Sequence, residues 1–163
     1  MSRLASGVTV VTARRGHERF GLTATSFASV SLEPPLVLVC VAKSLQAHAV
    51  IEETGAFAVN LLGEHQLDVG LRFAGLRPEF VDRFAGLASA TGITGSPLLE
   101  GSLAALDCRL HASHPGGDHT IFVGEVLHAI FSKEGSPLLY HRRLWHRLEA
   151  LASPGPPDDA NGI

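Results

Sequence analysis

Two adjacent prolines divide the most constraining stretch of this chain, residues 21–44, which reads GLTATSFASVSLEPPLVLVCVAKS. Before the prolines the side chains alternate at the period of a β-strand. Leu22, Ala24, Ser26, Ala28, Val30 and Leu32 fall on one face, and Thr23, Thr25, Phe27, Ser29 and Ser31 on the other. Neither Pro34 nor Pro35 has an N–H to give to a ladder, so the chain must turn at Glu33-Pro34-Pro35. The apolar run that follows, residues 36–42, reads as a strand buried on both faces. The face of hydroxyls and small side chains has two readings. It either lets a flat ligand approach the backbone and bond to it, or is the polar outer face of a sandwich strand.

The flanking segments extend the β pattern. Residues 7–13, GVTVVTA, are β-branched and end at a polar turn, which predicts a hairpin into the strand that follows. After the second strand, Ser44 stands as a helix cap before Ala47, Val50, Ile51 and Thr54 at helical spacing, with Gly55 as the stop. Lys43, Ser44 and the first amides of that helix would form an anion seat. Residues 56–62 read as a strand and 66–74 as a short helix with Leu67, Gly70, Leu71 and Ala74 on one face. Residues 75–97 lack a period and read as a long surface excursion carrying Phe80, Val81, Asp82, Arg83 and Phe84. Strand signals return at Leu106, Cys108 and Leu110, then across residues 120–131, where Gly124 marks a bulge or a close approach. Residues 136–140 read as a last short strand and 141–151 as a basic helical segment. Six or seven strands against two short helices predict a mainly antiparallel barrel, one domain over 1–152, and a disordered tail over 153–163.

A chain of 163 residues, 45% hydrophobic, buries a substantial core, and its formal charge of −3 offers no broad basic surface for nucleic acid. The two cysteines, Cys40 and Cys108, lie in apolar strand patterns and imply a reducing, cytoplasmic setting without a disulfide framework. No apolar run is long enough to span a bilayer as a helix. GxGxxG, GxxxxGK[ST], HExxH, paired CxxC and GxSxG are all missing, so Rossmann, P-loop, zincin and serine-hydrolase chemistry are not expected. His111, His114 and His119 straddle a Pro-Gly-Gly turn without a supporting carboxylate set, and no metal site is expected there.

The segments SGVTVVTA, GLTATSFASVSLEPPLVLVC, AKSLQAH, FAVNLL, RFAG, DRFAG, GSPLLEGSLAALDCRL, GDHTIFVGEV and SPLLYHRR, in this order, resemble the short-chain flavin reductases. These are the reductase components of two-component flavin-dependent monooxygenases, and the likeness is to members from actinobacterial natural-product pathways in particular. The resemblance implies an antiparallel split β-barrel that binds FMN or FAD, a homodimer, and reduction of flavin by NADH or NADPH for a partner monooxygenase. It places Thr23, Ala24, Thr25 and Ser26 along the flavin ring and ribityl chain. Val41, Ala42, Lys43, Ser44 and His48 would surround the phosphate, and Arg72, Phe73 and Ala74 would close the flavin site. His119 would meet the nicotinamide nucleotide, with Tyr140 nearby, although residues 140–145 keep only part of the usual pattern. Hydride transfer between two bound rings needs no acid or base, which explains how a chain without a triad or metal motif can be an enzyme. The alternative is a non-catalytic flavin- or haem-binding barrel.

Overall fold

The computed structural model describes residues 3–151, so the tail expected over 153–163 lies outside the described residues. Its centre is a seven-stranded antiparallel sheet. The β-branched run forms β2 (Thr9–Arg15), which turns through Gly16 and His17 into β3 (Glu18–Ala24) as the hairpin expected. Beyond the prolines' turn, β4 (Ala28–Leu32) pairs with β5 (Pro35–Ala42). With β6 (Ala56–Leu61), β9 (Ala104–Gly116) and β10 (His119–Phe131), the order across the sheet is β3-β2-β6-β9-β10-β5-β4. The sheet curls into a split barrel whose two edge strands, β3 and β4, follow one another in the chain.

Two smaller sheets complete the molecule. β1 (Ser6–Gly7), β11 (Leu138–His141) and β12 (Leu144–Arg147) form one, and β7 (Ser89–Thr91) pairs with β8 (Pro97–Leu99) in the other. Helix α1 (Gln46–Thr54) ends as expected at Gly55, whose φ of 66° suits a residue without a Cβ. Helix α2 (Leu67–Phe73) follows a single 3₁₀ turn over Glu64–Gln66. Among the described residues no helix is long and apolar enough to cross a membrane.

The core has two main parts separated by β2, with a small third cluster of Ala58, Leu98 and Ala105. Val11, Val39, Val41, Phe57, Val59 and Phe122 fill the barrel beneath Val50 and Ile51 of α1. Val10, on the opposite face of β2, and Val8 just before the strand pack with Leu62, Phe73, Phe84 and Leu138. Burial on both faces therefore belongs to β2. In β5 only Val37, Val39 and Val41 are buried, and the alternate residues Leu36, Leu38, Cys40 and Ala42 are half-buried, a correction to the expected double burial. Buried Asn60 ties the layers together. Its amide donates to the carbonyl of Val10 and to Thr12 Oγ1, while its Oδ1 accepts from the Leu99 N–H at 2.7 Å.

Other expectations are corrected too. Residues 22–32 are not one strand: the chain leaves the sheet at residues 25–27 and rejoins it at the opposite edge, exposing Val30 and Leu32. Leu45, not Ser44, is the N-cap of α1, and no side chain caps it. The buried face of α2 carries Gly70 and Phe73, with Leu67 outside. Residues 141–151 are not helical, since Leu144–Arg147 turns back on β11 as a strand. Gly124 does mark a register shift between β9 and β10, and a Cβ there would lie 2.5 Å from Phe57 Cζ and 2.9 Å from Cys108 Cβ.

Candidate active site

The barrel is open along a seam between β3 and the upper half of β5. β3 has a ladder partner on one side only, and β4 covers β5 no further than Leu38, so Val39 to Ala42 face β3 without a ladder. One side chain bridges the gap. Ser26 Oγ donates to the Cys40 carbonyl at 3.1 Å and accepts from the Cys40 N–H at 3.0 Å. Because peptide groups alternate along a strand, the N–H of Ala42 points into the same gap as that of Cys40. The gap opens as a cleft of about 280 Å³ lined by Leu22, Thr23, Ala24, Thr25, Ser26, Cys40, Ala42, Leu45 and His119. Small side chains on both walls leave the backbone within reach of a flat guest.

His119 enters this cleft from the tight turn between β9 and β10. Its Nδ1 lies 2.7 Å from Asp118 Oδ1, which leaves Nε2 to meet a ligand. The hydrogen bond from His119, and then the charge of its imidazolium, hold the Asp118 carboxyl below the usual carboxylate range. Lys43 braces the same turn: its Nζ donates to the Gly117 carbonyl at 2.8 Å and its N–H to the Asp118 carbonyl at 3.0 Å.

Leu22 and Leu45 are shared with a second cleft of about 390 Å³, which includes Ser44, Gln46, Arg19 and Arg83. The uncapped start of α1 contributes unpaired N–H groups here. Arg83 comes from the long excursion and is fixed by its donations to the carbonyls of Phe73 (3.1 Å) and Gly21 (3.4 Å). Both acceptors are neutral, so its charge remains available to an anion. Arg19 is turned toward Asp82 at 3.7 Å and lies over the Phe84 ring.

Thr25 and Ser26 also belong to a third cleft, of about 350 Å³, completed by Leu4, Ser6, Tyr140, Arg142 and Arg143. Tyr140 stands edge-on to Trp145 across the β11–β12 hairpin. The two turn residues of that hairpin, Arg142 and Arg143, have φ of 52° and 66°. Left-handed backbone costs an ordinary L-residue on the order of 1 kcal/mol, and such turns favour Asn-Gly.

Thr23, Ala24, Thr25, Ser26, Ala42 and His119 are thus brought together, with Ser44 and Tyr140 in the clefts on either side. Others stand apart. Val41 is fully buried and its side chain points into the barrel. His48 is 7% exposed, with Nε2 2.7 Å from Thr120 Oγ1 and its ring against Phe122. Phe73 belongs to the second core beneath Gly21. Arg72 pairs with Asp68 at 2.6 Å and covers the Phe80 ring, and Ala74 is exposed beyond it. Arg83, Cys40 and the Arg142-Arg143 pair escape the sequence reading of the site. Only the arginine pair carried a local signal, two bulky residues at the tip of a short apolar hairpin.

A family profile described as flavin reductase like domain matches residues 1–149. The chain is 48% identical over 148 residues to the reductase component of 4-hydroxyphenylacetate 3-monooxygenase from Thermus thermophilus, covering 91% of this chain and 92% of that one. It is 38% identical over 164 residues to the actinorhodin polyketide dimerase of Streptomyces coelicolor, covering 100% and 91%. The solved structure of the Streptomyces globisporus NADH:FAD oxidoreductase in complex with NAD and FAD fragments superposes with a TM-score of 0.85 at 38% identity, covering 93% of this chain and 90% of that one. The likeness in sequence and in backbone spans nearly the whole chain, and the chain belongs to the flavin reductase like domain family.

Proposed function

We propose that this protein is an NAD(P)H:flavin oxidoreductase that reduces FMN or FAD and hands the reduced flavin to a partner monooxygenase. The observation that carries this reading is the seam itself, an unladdered gap walled by small side chains and opening on His119, in a chain of this family. When bound, flavin supplies an N5 that accepts hydride from C4 of a reduced nicotinamide. The protein's part is to hold two rings in contact, exclude water and place donors against the ring's polar edge.

The residues fit that part. Thr25 and the N–H of Ala42 line the gap, Ser26 closes it on Cys40, and Thr23 braces it by donating through Oγ1 to the Gly70 carbonyl at 2.7 Å. Ser44, the first amides of α1 and Arg83 supply the positive end of the neighbouring cleft, which suits the flavin phosphate. His119, fixed through Asp118, presents Nε2 to the nicotinamide. Lys43 acts on the turn that carries His119, and His48 supports Thr120 from beneath, rather than either touching a phosphate. The protein is expected to work as a homodimer in the cytoplasm, with flavin and nicotinamide nucleotides as its small-molecule partners.

The test is NADH oxidation by the purified protein in air, followed by absorbance, with and without micromolar FMN or FAD. Oxidation that requires flavin and saturates with it is the expected result, and the ratio of the two flavins gives the preference. Flavin binding without oxidation would overturn the enzyme reading in favour of a carrier.

A further inference from the structure

The cleft that holds Ser44 and Arg83 encloses about 390 Å³, against about 280 Å³ for the seam cleft, and it runs down β3 away from the seam. Leu22 is common to both clefts, Arg83 is bonded at Gly21, and Arg19 follows two residues further down the strand. At a rise of about 3.3 Å per residue, Arg19 stands about 7 Å beyond Gly21. We propose that this cleft is a diphosphate seat, in which Arg83 meets the phosphate next to the ribityl chain and Arg19 the one beyond it. Resting on the reductase reading above, this makes Arg19 a specificity-determining residue and FAD the preferred flavin.

FMN and FAD carry similar total charge, but FMN concentrates it on one phosphate while FAD spreads it over two. Two arginines set apart along one strand match the spread charge, whereas Arg83 alone serves the monophosphate. Arg19 also has a weak partner of its own. Its guanidinium lies 3.7 Å from Asp82, too long for a hydrogen bond, while Arg15, Arg72, Arg77 and Arg109 each approach a carboxylate to 3.1 Å or less. Asp82 is occupied elsewhere, since its Oδ1 accepts from the Phe84 N–H at 2.9 Å. A phosphate offers Arg19 the closer, fork-shaped pairing that Asp82 does not supply here. In the same cleft Leu45 and Val81 are 38% and 98% exposed. An adenosine carried past the second phosphate gives these two side chains an apolar partner.

The deciding measurement is fluorescence titration of the flavin-free protein with riboflavin, FMN and FAD. Affinity should rise from riboflavin to FMN and again by roughly tenfold from FMN to FAD, as one further charge-assisted contact allows. Arg19→Met keeps an unbranched stem over the Phe84 ring and removes the charge, so its melting temperature should be close to that of the unaltered protein. In that variant FAD should lose about tenfold in affinity and FMN no more than about twofold. Asp82→Asn retains an acceptor for the Phe84 N–H but releases Arg19, and it should bind FAD more tightly, a gain that misfolding cannot imitate. An unaltered protein that binds FMN as tightly as FAD, or an equal change for the two flavins in Arg19→Met, would overturn the diphosphate seat. Flavins bound in the expected order without NADH oxidation would remove the reductase reading and leave the seat standing.

Discussion

His119 and Asp118 form a pair whose value lies in orientation. With Asp118 Oδ1 2.7 Å away, Nδ1 carries the proton and Nε2 is turned to the cleft. His119→Ala should raise the KM for NADH severalfold more than the KM for flavin, and equal changes in steady-state assays would remove His119 from nicotinamide binding. The Asp118 carboxyl, held below its usual range by His119, is ionised in the folded state at pH values where the unfolded chain is already protonated. Its contribution is therefore complete above the unfolded-state pKa and is lost as pH falls through the lower folded-state value. The pair is exposed, so screening keeps this effect on stability small, and it should appear as acid-side weakening of NADH binding that Asp118→Asn abolishes. Gly124 is constrained by packing. A methyl there would meet Phe57 and Cys108 Cβ, and Gly124→Ala should cost roughly 1–3 kcal/mol in urea denaturation.

Among the elements, the passage from β3 to β4 shows what a sequence can and cannot reveal. The hairpin of β2 and β3, the turn at the prolines, the end of α1 at Gly55 and the irregularity at Gly124 all have local causes, and each was legible. Residues 22–32 keep period 2 throughout, so nothing local marks the departure at residues 25–27, which comes from closing a curved sheet. Thr9 and Thr12 are buried in β2, which hid its double burial behind polar residue types. Leu144–Arg147 was missed because its basic residues suggested a helix end, while Trp145 actually packs on Tyr140. Thr23, Ala24, Thr25, Ser26, Ala42 and His119, which line the seam cleft, were legible through family likeness. Arg83 was not, since it reaches the site from an excursion without periodicity. Ser26→Ala tests the seam as an element: it removes both bonds to Cys40 and should cost about 1–2 kcal/mol. It should also weaken flavin binding, measured by titration.

For the molecule as a whole, two properties stand out. Val30 and Leu32 are 49% and 86% exposed on the edge strand β4, beside half-buried Leu36 and Leu38 of β5, which suits the proposed homodimer. Sedimentation should show a dimer at micromolar concentration, and Leu32→Glu should shift it toward monomer. The second property is how the barrel closes. Elsewhere in the sheet the distance between neighbouring strands is set by ladder hydrogen bonds, but across the seam it is set by the two bonds of Ser26 to Cys40 and by the chain, since residues 25–27 join the two edges and the four steps from Ala24 to Ala28 reach no more than about 14 Å. The width of the seam cleft is therefore limited by the length of a covalent spacer. Lengthening that spacer by one residue should widen the cleft while leaving the ladders of the sheet in register, so the size of the guest proposed for it would vary by insertion or deletion at a single point, independently of the core.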